Sequence, residues 1–131
     1  MCRFFMDFKF LKYIMLIEPQ WVARMDPQMF FTQRGVTVEA SADKRVTRQE
    51  AARIIVEYLG YGQLARQSRW FVYPFNDNVA EEYRGFITTC YMLGIVGGDE
   101  NGGFNANANV TRGQAAAMLH NLIISRSEQS R

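Results

Sequence analysis

Apolar residues recur at helical spacing after Val110: Ala115, Ala116, Met118, Leu119, Leu122 and Ile123 share one side, with Asn121 and Ser125 off it. Thr111 and Gln114 precede them in the T-x-x-Q spacing of a capping box, in which the threonine hydroxyl accepts from the first helical turn and the glutamine reaches back. A helix starting near Thr111 is therefore expected, with its apolar side as core. The same signature stands earlier, where Val46 to Gly60 (VTRQEAARIIVEYLG) aligns with Val110 to Ile123 at an offset of 64 residues. Thr47 and Glu50 make the stronger T-x-x-E box, Ala51, Ala52, Ile55 and Tyr58 or Leu59 form its buried side, and Gly60 ends the helix. The pair reads as an internal repeat.

The remaining elements are shorter. Phe4, Phe8, Leu11 and Met15, with Phe5 and Ile14, fit a helical stripe, while Met6, Phe8 and Phe10 alternating with Asp7 and Lys9 fit a strand; helix is the favoured reading up to Pro19. Trp21, Val22, Met25, Met29 and Phe30 have helical spacing interrupted by Pro27, so two short helices are expected, the second capped by Asp26. Gly35 to Val38 reads as extended, Ser41 to Arg45 as a polar turn, and Gln63 to Trp70 as a short helix facing inward with Leu64 and Trp70. Phe71 to Phe75 is an extended connection, Tyr83 to Leu93 a helix with Cys90 on its apolar face, and Ser125 to Arg131 a frayed polar tail.

From Phe75 onward these features resemble the S-layer homology (SLH) domain, whose repeat runs F-x-D, an aromatic opening a first helix, G-I-x-x-G, a phenylalanine loop anchor, then [IV]-T-R-x-E opening a second helix. Phe75 and Asp77 match F-x-D; Tyr83 stands where tryptophan is usual; Gly94, Ile95 and Gly98 match the glycine turn; Phe104 matches the anchor; and Val110, Thr111 and Arg112 match the cap. Ala106 and Gln114 depart from the usual proline and glutamate. Phe75 to Ile123 is a full repeat and about Trp21 to Gly60 a degraded one, with Trp21 as its aromatic and Gly35-Val36 as its G-I. The resemblance implies a mainly α fold of helix-loop-helix repeats around a shared core, with short extended segments in the loops. It organises one domain over 1-131: an aromatic-rich segment 1-34, a degraded repeat 35-60, a full repeat 75-124 and a polar tail 125-131. Members of the family pack three repeats about a pseudo-threefold axis; the substitute for the missing third is the first 31 residues or self-association into a homo-oligomer.

Bulk properties narrow the function. The chain is 131 residues long with 48% hydrophobic and 21% charged residues, enough for an ordinary core and too little charge for disorder. A net charge of +2 gives no argument for nucleic acid or a membrane surface. Twelve arginines against three lysines favour planar contacts to carboxylate, phosphate or protein. Cys2 and Cys90 make no disulfide framework. The N-terminal apolar run is broken by Asp7, Lys9 and Lys12, so neither a secretory signal nor a membrane span is read there. The chain as written is expected in the cytoplasm, or at the cell wall if a signal precedes Met1, and Met25 is an alternative start.

Candidate chemistry centres on the two caps. Arg48 and Arg112 follow the N-caps Thr47 and Thr111, although a cation there opposes the helix dipole by about 0.3–1 kcal/mol. The resemblance implies that the T-R arginine helps bind an acidic secondary cell-wall polymer, with Thr47, Thr111, Gly98 and Tyr83 as further ligand-binding candidates; the competing reading is a structural arginine that holds the repeats together through a loop carbonyl or carboxylate. The glycine- and Asx-rich stretch from Gly97 to Gly103 fails the EF-hand spacing and lacks P-loop residues, and reads as a structural turn. His120 has no partner at metal-ligand spacing, no nucleophile motif is present, and no cofactor or catalytic residue is assigned. Trp21, Trp70, Tyr73 and Tyr83 are able to stack on sugars, anchor an interface or fill a core. Two functions remain: a non-catalytic module for cell-wall polysaccharide, or a protein-binding module on the same scaffold inside a cell, such as an inhibitor encoded by a phage or mobile element.

Overall fold

The computed structural model of the protein describes residues 4–36, 38–41 and 45–129. The chain forms two compact units, Met1–Val46 and Thr47–Arg131. The stretch expected as a degraded repeat spans their boundary, and part of the polar turn expected at Ser41 to Arg45 lies outside the described residues.

In the first unit, both readings of the N-terminus hold in succession. Strand β1 (Phe4–Asp7) runs directly into helix α1 (Phe8–Met15), and Asp7 ends the one and caps the other by accepting from the Lys9 N–H at 3.3 Å. β1 pairs in parallel with β2 (Val38–Ser41), Phe4 opposite Val38 and Asp7 opposite Ser41. A parallel pair needs a long crossover, and helices supply it. α1 is followed by α2 (Gln20–Ala23), and α3 (Pro27–Gln33) has Pro27 in its first turn and the Asp26 carboxylate accepting from the Met29 N–H at 3.1 Å. Leu11, Ile14, Met15, Phe30 and Phe31 are buried, with the two phenylalanine rings edge to face at 5.1 Å. The Lys12 ammonium closes the end of α2 by donating to the carbonyls of Ala23 (2.9 Å) and Met25 (3.2 Å). Trp21 is 71% exposed, so it does not serve as the core aromatic of a repeat.

The second unit is built around α4 (Arg48–Tyr58), whose residues Glu50 to Ala52 and Ile54 to Glu57 are all buried. α4 packs against α6 (Glu81–Met92), and α5 (Gly62–Ala65) with a single 3₁₀ turn (Ser68–Trp70) connects them. Glu57 is buried between two arginines, Arg53 one turn before it (3.6 Å) and Arg66 beyond α5. A carboxylate so far from water needs that pairing. The short connection buries Gly62 and Ala65, whereas Leu64 is 56% and Trp70 75% exposed. The expected inward face is thus reversed: the link between α4 and α6 is too tight for large side chains. At its tightest point, a Cβ on Gly85 of α6 would lie 1.8 Å from the Ala65 carbonyl oxygen.

α6 ends at Leu93 with Gly94 at φ 78°, the Ile95 N–H returning to the Cys90 carbonyl at 3.1 Å. Cys90 is fully buried and burial pushes its thiol up, as its place on the apolar face requires. α7 (Arg112–Gln129) comes after the loop and is longer than expected, since the segment from Ser125 continues as helix. Its buried line is Met118, Leu122 and Ser125, with Ala115 half-buried, while Ala116 and Ile123 are exposed. Apolar residues occupy two adjacent sides of α7, so periodicity alone placed the core one step off.

Replacing Gly85 by alanine should cost about 3 kcal/mol, because backbone must move to admit the methyl group. Gly113→Ala, in open space in the first turn of α7, should be neutral or stabilise by up to about 1 kcal/mol. Equilibrium urea unfolding of the two variants checks the contrast.

Candidate functional site

The start of α4 meets the loop before α7. Thr47 caps α4 in a complete capping box: its hydroxyl accepts from the Glu50 N–H (3.4 Å) and its N–H donates to Glu50 Oε1 (3.0 Å). That leaves the Arg48 and Gln49 N–H groups, which no residue within the helix can satisfy. The loop before α7 satisfies both: Arg48 N–H donates to the Ala108 carbonyl at 2.9 Å and Gln49 N–H to the Ala106 carbonyl at 3.0 Å, with Thr47 and Asn109 in an antiparallel bridge. The Gln49 side-chain amide adds a bond to Asn107 Oδ1 at 3.2 Å.

Arg48 fastens the same loop with its side chain. Nε donates to the Phe104 carbonyl (2.8 Å), a terminal nitrogen donates to the Gly97 carbonyl (3.1 Å), and the guanidinium stands 4.6 Å from the Phe104 ring centre. Burial lowers its pKa, against the opposing pull of Asp99, Cys90 and Asp77. An arginine keeps its charge under such a shift.

Two aspartates shape the loop that Arg48 grips. Asp77 accepts from the Phe104 N–H (2.9 Å) and the Tyr73 hydroxyl (3.0 Å). Burial works against its ionisation, but these donors outweigh it and hold the carboxyl below its usual range, while burial and Asp77 push the Tyr73 phenol up. Asp99 accepts from the N–H groups of Gly103 and Asn101 (both 2.9 Å) and from the Asn105 amide (2.8 Å), and the Gly103 bond leads in lowering its pKa. Asn105 takes φ 63°, a backbone region that asparagine tolerates better than most residues. The 97–103 stretch is thus closed on its own groups as a structural turn. Phe75 lies within 5.2–5.7 Å of the Tyr73, Tyr91 and Phe104 rings, and Gly98 is required beside it because a Cβ there would come within 2.6 Å of the Phe75 ring.

Arg48, Thr47 and the loop containing Gly98 therefore come together at one junction. Tyr83 stands elsewhere, half-buried in the first turn of α6 with the Arg53 guanidinium 5.9 Å from its ring, and burial raises its pKa. The second cap differs in its surroundings. Thr111 and Gln114 exchange bonds as Thr47 and Glu50 do, at 3.0 and 3.1 Å, but both are exposed. Arg112 is exposed and has no hydrogen-bond or ion-pair partner among the described residues, and the N–H groups of Arg112 and Gly113 find no acceptor there either. The α4 cap is closed by the loop before α7, and among the described residues nothing closes the α7 cap in the same way.

Sequence reasoning missed the buried Glu57 and its two arginine partners, Arg53 and Arg66. The i,i+4 spacing of Arg53 and Glu57 was a readable sign of the first contact. Nothing local marks the second, made across α5. Among the described residues, no group of three or more His, Cys, Asp or Glu side chains is placed to hold a metal ion, and no helix is long and apolar enough to cross a membrane.

The family model of the S-layer homology domain matches residues 75–116. The match begins at the Phe75 ring cluster and includes Asp77, α6, the glycine turn, the Phe104 anchor and the Thr111–Gln114 cap. No curated protein and no solved structure matches the chain.

Two outcomes are expected of this junction. Arg48→Ala should destabilise by about 2 kcal/mol through two lost charge-assisted bonds to carbonyls, whereas Arg112→Ala should stay within about 0.5 kcal/mol of the parent; thermal unfolding of both distinguishes them. Asp77 has a folded-state pKa below its unfolded value, so its contribution is complete above about pH 4 and is lost as pH falls through the lowered pKa. A melting temperature measured between about pH 6 and pH 2 should drop in that acid range and drop less steeply in Asp77→Asn.

Proposed function

We propose that the S-layer homology domain at residues 75–116 makes this protein a non-catalytic binding module for an acidic cell-wall polysaccharide, held at the open N-terminus of α7. The observation that carries this reading is the contrast between the caps: the α4 end is filled by protein carbonyls, while among the described residues the Arg112 guanidinium and the Arg112 and Gly113 N–H groups at the start of α7 have no partner. Free N–H donors, the positive end of an 18-residue helix and a planar fork together suit a carboxylate or phosphate. Thr111 fixes the direction of that end through its capping box. Arg48, Thr47 and Gly98 act one step back, setting the loop that leads into it. Tyr83, half-buried beside Arg53 of α4, is left without a role in this reading.

Pelleting with purified Gram-positive sacculi tests the reading. The parent should be retained, and retention should weaken with added salt. Arg112→Ala should lose about tenfold in affinity, equivalent to about 1.4 kcal/mol, without a change in melting temperature. A protein that sacculi do not retain, and that instead co-purifies with one soluble protein, would overturn the reading in favour of a protein-binding module.

A further inference from the structure

One short stretch of the second unit turns three large apolar side chains outward: Leu64, Trp70 and Val72, the last two 75% and 90% exposed. Where that stretch meets the start of α6, a cleft of about 500 Å³ is lined by Arg66, Gln67, Ser68, Arg69, Glu81 and Glu82. Trp70 is not one of its walls; it follows directly on Arg69, whose guanidinium lies 5.3 Å from the indole centre. We infer that this cleft receives Trp70 from a second copy of the chain, so that two copies pair about a twofold axis, each placing its indole in the other.

The charges favour a second copy over an unrelated partner. A twofold interface sets one patch against the same patch, so every group must find its complement within the patch itself. Here it does. Arg69 carries one sign, Glu81 and Glu82 the other, and among the described residues none of the three side chains has an ion-pair partner. A surface suited to a strongly acidic or basic partner would carry a single sign. Rotated onto itself, this one brings Arg69 of each copy to Glu81 and Glu82 of the other. The net charge of +2 leaves little repulsion between copies to overcome.

The cleft also suits an indole. Once buried, the ring N–H needs an acceptor and the ring faces need apolar or cationic neighbours. The Glu81 and Glu82 carboxylates supply the acceptor; the methylene stems and guanidinium groups of the arginines supply the neighbours. The walls are fixed in advance. The Ser68 hydroxyl is inserted into the first turn of α6, donating to the Glu81 carbonyl at 2.9 Å and accepting from the Gly85 N–H at 3.3 Å, and Arg66 is anchored through buried Glu57. A wall held by the fold lowers the ordering cost of association, and tryptophan is among the residue types that contribute most at interface centres.

Sedimentation equilibrium between about 5 and 500 µM, a range that brackets a weak interface, tests the pairing. The mass of the parent should rise from that of one chain towards that of two. In Trp21→Phe protein, where Trp70 is the one remaining tryptophan, emission should shift to shorter wavelength over the same range as the indole leaves water. Trp70→Ala, Arg69→Glu and Glu82→Arg, each folded by circular dichroism, should weaken association by about tenfold or more. An equimolar mixture of Arg69→Glu and Glu82→Arg should recover it, because each contact then joins opposite charges again. Arg112→Ala should associate as the parent does, so this site and the α7 end can fail separately. A parent that stays a single chain throughout, association that survives Trp70→Ala, or a mixture that does not recover pairing would each overturn the inference, as would a single-chain parent that binds an unrelated protein through this cleft.

Discussion

The second unit depends on how the first turn of one helix is satisfied. An α-helix leaves its leading N–H groups without partners, and a capping side chain reaches only some of them. In α4 the rest are met by the carbonyls of Ala106 and Ala108, which belong to the loop before α7. The start of α4 is therefore completed by a loop much further along the chain. Arg48 extends the principle from backbone to side chain by reaching the carbonyls of Phe104 and Gly97. The loop is ready to receive it because Asp77 and Asp99 have already turned the chain, the first by fixing the Phe104 N–H and the second by closing the glycine turn.

The same three letters, V-T-R, thus have two physical outcomes. At Val46 the arginine is withdrawn into a protein junction; at Val110 it is exposed at a helix end whose Arg112 and Gly113 N–H groups have no acceptor among the described residues. Nothing in the motif distinguishes the two. The difference lies further along the chain: α4 has a complete glycine loop downstream to accept its donors, and among the described residues α7 has none.

The same distinction between local and non-local partners explains what the sequence made legible. Thr47, Glu50, Thr111, Gln114, Pro27, Asp26, Gly60 and Gly94 act through their own turn, and each was readable from spacing because the physics is local. The α4 core was readable for a similar reason, since a helix buried nearly all round leaves little choice of face. Where packing decided the matter, the reading failed. Leu64 and Trp70 look like core by residue type, yet Ala65 and Gly85 approach too closely to leave room for them. Ser125 looks like surface and is buried; Ile123 looks like core and is exposed, because α7 has two apolar sides and only tertiary contacts choose between them. The pairing of β1 with β2, across three helices, and the insertion of Ser68 into α6 are non-local and left no pattern to read.

The standing cost of the open cap is what makes it informative. A cation in the first turn of a helix works against the macrodipole, by about 0.3–1 kcal/mol when exposed. For Arg48 the cost is offset within the fold: two charge-assisted bonds and an aromatic face contribute more than the dipole removes. Arg112 meets the same opposition and, among the described residues, has no compensating contact. An anion placed at the α7 end reverses that balance, because its charge is favoured by the helix end and by the guanidinium together, and their mutual repulsion falls when both face one negative group. Stability alone would favour a neutral or acidic residue at Arg112. The energetic argument for the proposed binding role therefore rests on the copy of the motif whose arginine contributes least to folding.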